Sequence, residues 1–140
     1  MAEGVLKANI FRTGVEVRAA SAGIFALDEA PPTDPALIVM REIGIDISGH
    51  RGRHVTRSMV DEADRVLVME QTHRVAVTHL LPEARNKTFL LKAFGPGAKG
   101  GEIADPIGEN LEFYRFCRNE IVSEIQRIWP EVVRLAGKPS

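Results

Sequence analysis

Cysteine is nearly absent from this sequence of 140 residues, which has a single one, Cys117. One cysteine excludes a disulfide within the chain and any mechanism that draws two or three thiols from it. The histidines are scattered, and no Cys or His cluster has the spacing of a zinc site. We therefore expect the protein to use neither a metal nor a cofactor.

Long apolar runs and a surplus of charge of one sign are also missing. No run approaches the ~20 apolar residues that cross a bilayer, and residues 1–7 lack the basic-then-apolar pattern of a signal peptide. The net charge is −1, so the chain has no basic surplus for nucleic acid or an anionic membrane. These absences predict a cytoplasmic protein whose partners include neither nucleic acid nor membrane.

The residues that are present have the balance of an ordinary globular domain, 44% hydrophobic and 26% charged, so we predict one domain over 1–140. Hydrophobic periodicity and caps predict helices and strands in the order α β α α β α β α. The predicted helices cover 1–13, 35–43, 57–62, 71–81 and a last one from Asn110; the predicted strands cover 15–19, 64–69 and 87–91. Pro130 is expected to kink or break the last helix. This order predicts a three-layer α/β sandwich with a parallel sheet.

Two loops and one thiol are candidates for chemistry. Pro106 holds Asp105 in an extended conformation and Gly108 lets the chain turn, which presents a carboxyl suited to a general acid, although most such dipeptides are plain turns. The basic loop 48–54 is either a phosphate-binding loop or a solvated one. Cys117 lies on the apolar stripe of the last helix, where a packed core thiol is expected.

Several segments, in their order and spacing, resemble the low-molecular-weight protein tyrosine phosphatase family. They are Ser21–Gly23, Gly44–His50 with Arg53–Thr56, Ala63–Met69, Asp105–Pro106 and Leu111–Arg115. Two details, Leu91–Phe94 and Asp105–Gly108, resemble the bacterial branch, which includes protein arginine phosphatases. The resemblance implies an α/β sandwich of the phosphotyrosine phosphatase I type.

The resemblance also implies a mechanism and a site. A cysteine thiolate in a loop of pattern Cys-x5-Arg-Ser attacks phosphorus, and the Asp of an Asp-Pro pair protonates the leaving group and then activates water. Carried onto this sequence, Asp105 is that acid and base. Ser21 and His50 match positions that hold the phosphate loop in shape. Ile24 and Leu27 match the lining of the substrate cleft, and Ile107 stands where many members have an aromatic ring.

The chain departs from the family at its start. In the family the phosphate loop ends just before the segment that matches residues 1–3, so we expect this chain to lack the first strand, the nucleophilic cysteine and the phosphate-binding arginine. We predict a truncated and inactive phosphatase domain. An internal start codon, a shortened expressed form and a natural truncation stay open as causes. An exposed sheet edge would then favour a homodimer.

Three functions follow from these observations. The first is a phosphatase whose full-length form hydrolyses a phosphorylated protein or a small phosphoester and binds inorganic phosphate. The second is a catalytically dead relative that holds an anion or a partner. The third is an arsenate reductase of the same fold, which is disfavoured because that chemistry needs further cysteines.

Overall fold

The computed structural model describes residues 1–25 and 27–137. Five α-helices and two short strands occur in these ranges, with 3-10 turns at Pro82–Lys87 and Leu91–Ala93. The elements are α1 (Ala2–Thr13), α2 (Asp34–Arg41), α3 (Arg57–Glu62), β1 (Val66–Val68), α4 (Gln71–Leu80), β2 (Thr88–Leu90) and α5 (Leu111–Ala136). No helix in the described ranges is long and apolar enough to span a bilayer.

The helix boundaries follow the caps in the sequence. Thr33 accepts from the amide of Ala36 at the start of α2, and Thr56 and Asn110 cap α3 and α5 in the same way. Gly14 ends α1 in the left-handed conformation at φ 71, where glycine carries no Cβ penalty. The predicted helices over 1–13 and 57–62, and the predicted start of the last helix at Asn110, are confirmed to within one residue.

The sheet is parallel but smaller than predicted. β1 and β2 pair in parallel, with Val66 opposite Thr88 and Val68 opposite Leu90, so the α/β class with a parallel sheet is confirmed. Both strands are shorter than the predicted 64–69 and 87–91, and they are only partly buried. The predicted strand over 15–19 is wrong: the described chain gives it no ladder partner, and the amide of Val17 donates to the carbonyl of Val15 instead.

The core forms where α5 packs on α1 and α2. The buried face of α5 meets Val5 of α1 and Val39 and Met40 of α2. A second cluster lies between the sheet and α4; it contains Val60, Val68, Val77, Leu81 and Ala84. Helix α5 runs unbroken through Pro130, so the predicted kink or break is not a break. Packing of this apolar face on its neighbours stabilises the helix despite the missing amide donor.

Candidate functional site

Glu3, in the first turn of α1, connects two of the predicted site residues. Its Oε1 accepts a hydrogen bond from Ser21 Oγ at 3.1 Å, and its Oε2 lies 3.1 Å from Nδ1 of His50. Lys7, one turn further along α1, places its Nζ 3.3 Å from the same Oε2. The structure therefore brings Ser21 and His50 together on one carboxylate.

The surroundings of Glu3 favour its charged form. Burial raises the pKa of Glu3, whose side chain is 14% exposed. Lys7, His50 and Ser21 together lower this pKa by more than burial raises it, so the net shift is downward. The positive end of α1 also favours a negative charge in this first turn. Burial lowers the pKa of the neighbouring Met1 amine. The carboxylate is therefore ionised at neutral pH.

The loop with Asp105 is held at the carboxyl end of β1. The amide of Ile103, whose side chain is buried, donates to the carbonyl of Met69 at 2.9 Å. The carboxylate of Glu102 accepts from the amide of Gln71 at 2.6 Å, which ties the same loop to the start of α4. These two hydrogen bonds fix where the loop leaves the sheet.

Asp105 itself is exposed. Its Oδ1 accepts from the amide of Ile107 at 3.0 Å, which closes a short turn and orients the carboxylate. Gly108, at φ 81, then redirects the chain toward Asn110 and α5. The carboxyl group of Asp105 is therefore exposed on a short turn, as the sequence around Pro106 and Gly108 predicts.

The three predicted cleft residues are apolar side chains with different exposure. Leu27 is 76% exposed and Ile107 is 66% exposed, whereas Ile24 is half-buried. A cavity of about 590 Å³ is lined by α1, α2 and the segment 44–50, including Glu3 and His50. Its lining does not include Asp105, Ile24, Leu27 or Ile107. Ser21 and His50 thus lie together beside Glu3, while Asp105 lies on a separate loop.

Cys117 is a packed core thiol, as predicted. It is 0% exposed on the buried face of α5. Its pKa is raised by burial first and then by the negative charges of Glu120 and Asp105. Thiolates are the reactive form of cysteine, so these surroundings disfavour nucleophilic chemistry. Among the described residues, no group of three or more His, Cys, Asp or Glu side chains is placed to hold a metal ion.

Two carboxylates of this region, Glu3 and Glu102, were not predicted. The spacing of Glu3 and Lys7 indicates a pair on one helix face. However, the partners Ser21 and His50 lie 18 and 47 residues away, and no local pattern connects them. Glu102 is likewise 31 residues from Gln71.

Comparison with known proteins identifies relatives of this chain. A sequence model described as "Low molecular weight phosphotyrosine protein phosphatase" matches residues 1–136. The chain is 39% identical over 115 residues to a protein-arginine-phosphatase of Geobacillus stearothermophilus, covering 82% of this chain and 75% of the relative. A crystal structure of a low molecular weight protein tyrosine phosphatase from T. tengcongensis superposes with a TM-score of 0.86 at 33% identity, covering 93% of this chain and 88% of that one. Wzb of Vibrio vulnificus, in complex with benzylphosphonate, has a TM-score of 0.81 at 29% identity over 93% of this chain and 86% of that one.

Proposed function

The chain belongs to the low-molecular-weight phosphotyrosine protein phosphatase family, and on that premise we propose that it hydrolyses phosphoprotein monoesters in its full-length form, with Asp105 as acid and base. The observation that carries this proposal is the exposed Asp105 loop at the carboxyl end of β1, because parallel sheets bind ligands at that end. Asp105 would give its proton to the leaving group as the bond to phosphorus breaks. It would then take a proton from the water that hydrolyses the phosphoenzyme.

We propose that Ser21 and His50 are positioning residues for the phosphate loop. Both have polar atoms near the first turn of α1, where the positive end of a helix favours an anion. Glu3 would support this role because it fixes the orientation of both side chains. In this proposal they act through the loop rather than on the reacting atoms.

We propose that Ile24, Leu27 and Ile107 line the substrate cleft and that the substrate is a phosphorylated protein. A cleft lining that includes the exposed apolar side chains of Leu27 and Ile107 fits a substrate with an apolar stem below its phosphoryl group. Relatives of this chain are named for both phosphotyrosine and phosphoarginine chemistry. Both substrates belong in the test, and inorganic phosphate is the expected product in either case.

We further propose that these 140 residues alone do not complete the reaction. The family mechanism needs a thiolate, and the one cysteine, Cys117, is buried with a raised pKa. The same observation favours a second candidate function, in which the chain holds an anion or a partner without turnover.

The experiment compares two forms of the protein. The 140-residue chain is assayed with phosphotyrosine and phosphoarginine peptides, and we expect no phosphate release. A form extended by the codons upstream of Met1 is assayed beside it. If that extension encodes a Cys-x5-Arg loop, we expect turnover that falls by about a hundredfold or more in Asp105→Asn. Turnover by the 140-residue chain itself would contradict the assignment, and an extension without the loop would favour the binding function.

We also propose that the chain is cytoplasmic and forms a homodimer through the outer edge of β1. Within the described residues, β1 has a strand partner on one side only, and an open edge is a template for pairing. Analytical ultracentrifugation over a range of concentrations tests this proposal. A monomer at every concentration would exclude the dimer.

A further inference from the structure

A surface formed by residues 25 and 27 and by the segment 51–57 combines three arginines with two apolar side chains. Arg51, Arg53 and Arg57 are exposed, Phe25 is 95% exposed and Leu27 is 76% exposed. We propose that these five residues, called the docking surface below, bind an acidic protein segment that carries an apolar side chain. This binding needs neither a phosphoryl group nor catalysis, so it goes beyond the phosphatase function and names the partner class for the second candidate function.

Backbone hydrogen bonds hold the two halves of the docking surface side by side. The amide of Gly23 donates to the carbonyl of Arg53 at 2.9 Å, in a parallel bridge. The amide of Glu29 donates to the carbonyl of Gly52 at 2.8 Å, and the amide of Gly52 donates to the carbonyl of Ala30 at 2.7 Å. Because these bonds lie at both ends of the apolar loop, Phe25 and Leu27 are carried next to the arginine segment.

Two further contacts keep the segments close. A Cβ atom on Gly52 would lie 3.0 Å from the carbonyl oxygen of Leu27, so a larger residue there would push the two segments apart by a few tenths of an ångström. The carboxylate of Asp28 accepts from the amide of His54 at 2.8 Å. The apolar side chains therefore stand on an anchored loop, which lowers the entropy cost of binding a partner.

The arginines of the docking surface keep their charge available. Arg51 donates from Nη1 to the carbonyls of Ser48 and His50 at 3.0 and 2.7 Å, and Arg53 donates from Nε to the carbonyl of Ser21 at 3.1 Å. Over residues 1–25 and 27–137, none of the three docking-surface arginines forms an ion pair with a carboxylate. A guanidinium is the side chain best suited to a carboxylate, which it can bind through two parallel hydrogen bonds.

The surroundings favour an acidic peptide over a nucleic acid. The chain as a whole has a net charge of −1, which gives no general attraction for a polyanion. Glu29 is exposed on the same surface, and its charge repels any anionic ligand, so a few spaced carboxylates are tolerated better than a continuous phosphate backbone. Phe25 and Leu27 offer an apolar contact that a peptide side chain can fill. A short segment with a few carboxylates around one apolar residue fits the three arginines and the two apolar side chains.

The test measures binding of an unphosphorylated peptide by fluorescence anisotropy at low salt. The probe is a fluorescein-labelled peptide in which glutamates flank a central leucine. We expect saturable binding that the double variant Arg51→Glu/Arg57→Glu weakens by about tenfold or more. The matched control Arg85→Glu/Lys99→Glu makes the same charge change at exposed residues elsewhere and is expected to stay within about twofold of the unaltered chain. Circular dichroism confirms that each variant is folded, and Arg51→Gln/Arg57→Gln replaces a variant that is not.

A second set of variants tests the apolar contact between the docking surface and the peptide. Phe25→Ser, and separately serine for leucine in the peptide, are each expected to weaken binding by about threefold or more. Glu29→Gln is expected to strengthen it. The proposal is overturned if the peptide does not bind, if a lysine-flanked peptide binds equally well, if the control variant loses as much affinity, or if a DNA oligonucleotide competes fully. Because the probe has no phosphate, none of these results bears on the phosphatase assignment.

Discussion

The arginines of α5 and those of the docking surface show two uses of the same side chain. On α5, Arg115, Arg118 and Arg127 each pair with a carboxylate, and Arg127 also donates to the carbonyls of Leu91, Phe94 and Pro96. The docking-surface arginines form no ion pair within the described residues. The arginines of α5 form ion pairs within the domain, whereas those of the docking surface are exposed to solvent.

The difference separates stability from recognition. Side chains that are buried and paired fix the position of α5 on the domain, so changes there should alter the free energy of unfolding. Residues on anchored loops are free to contact a ligand at little cost to the fold. Substitutions in α5 should therefore lower the free energy of unfolding more than substitutions on the docking surface.

Ile125→Ala should produce the largest loss of stability. Ile125 is 1% exposed in the core cluster of α5, and truncating such a side chain leaves a cavity. We expect the free energy of unfolding to fall by about 3 kcal/mol, measured by urea denaturation. Phe25→Ala, the matched control on the docking surface, should change it by less than about 0.5 kcal/mol. Equal losses in the two variants would contradict the separation.

Helix boundaries follow from the sequence where a local signal determines them. Thr33, Thr56 and Asn110 begin helices, and Gly14 ends one, because a cap needs only nearby amides or carbonyls. The alternating segment 15–19 shows the limit of such patterns. A strand requires a neighbour, and the described chain supplies none to this segment. Pro130 does not end α5, since packing of the helix's apolar face stabilises it beyond that residue.

The candidate site was predicted only in part for a related reason. Asp105 could be singled out because Pro106 and Gly108 shape its loop locally. Ser21 and His50 came only from the family resemblance, and the carboxylate that joins them was not foreseen because the fold, not the local sequence, brings Glu3 near them. The assigned functions of Asp105, Ser21 and His50 stay predictions.

Arg118→Ala should lower the free energy of unfolding by less than Ile125→Ala does, but by more than the surface substitutions do. Nη1 of the buried Arg118 donates to the carbonyl of Val39 at 2.8 Å and to Oε1 of Glu42 at 2.7 Å. Its removal leaves that carbonyl without this donor, so we expect a loss of about 2 kcal/mol by urea denaturation. The matched control is Arg57→Ala on the docking surface, which should lose less than about 0.5 kcal/mol. A larger loss at Arg57 would reverse the comparison.

The pH dependence of stability should reveal the α5 network through Glu42. Hydrogen bonds from Arg115, with Arg118 adding to them, lower the pKa of Glu42 from 4.5 to about 2. The unfolded chain takes up the proton first, so this contribution is complete above about pH 4.5 and is lost as the pH falls toward 2. Urea midpoints of the unaltered chain and Glu42→Gln should therefore differ at neutral pH and converge in acid. Because the pair is partly exposed, the effect should be smaller than that of Arg118→Ala.

Gly52→Ala changes the docking surface itself and should have a small and local effect on stability. The added Cβ would lie 3.0 Å from the carbonyl oxygen of Leu27, so the apolar loop must move by a few tenths of an ångström. We expect a loss of about 1 kcal/mol or less, with faster hydrogen exchange at the amides of Glu29 and Gly52 and unchanged exchange in α5. Gly49→Ala, where a Cβ would meet nothing within 4 Å, is the control. Faster exchange in α5 would mean that the loop and α5 unfold as one unit, and the two regions would then not be separable.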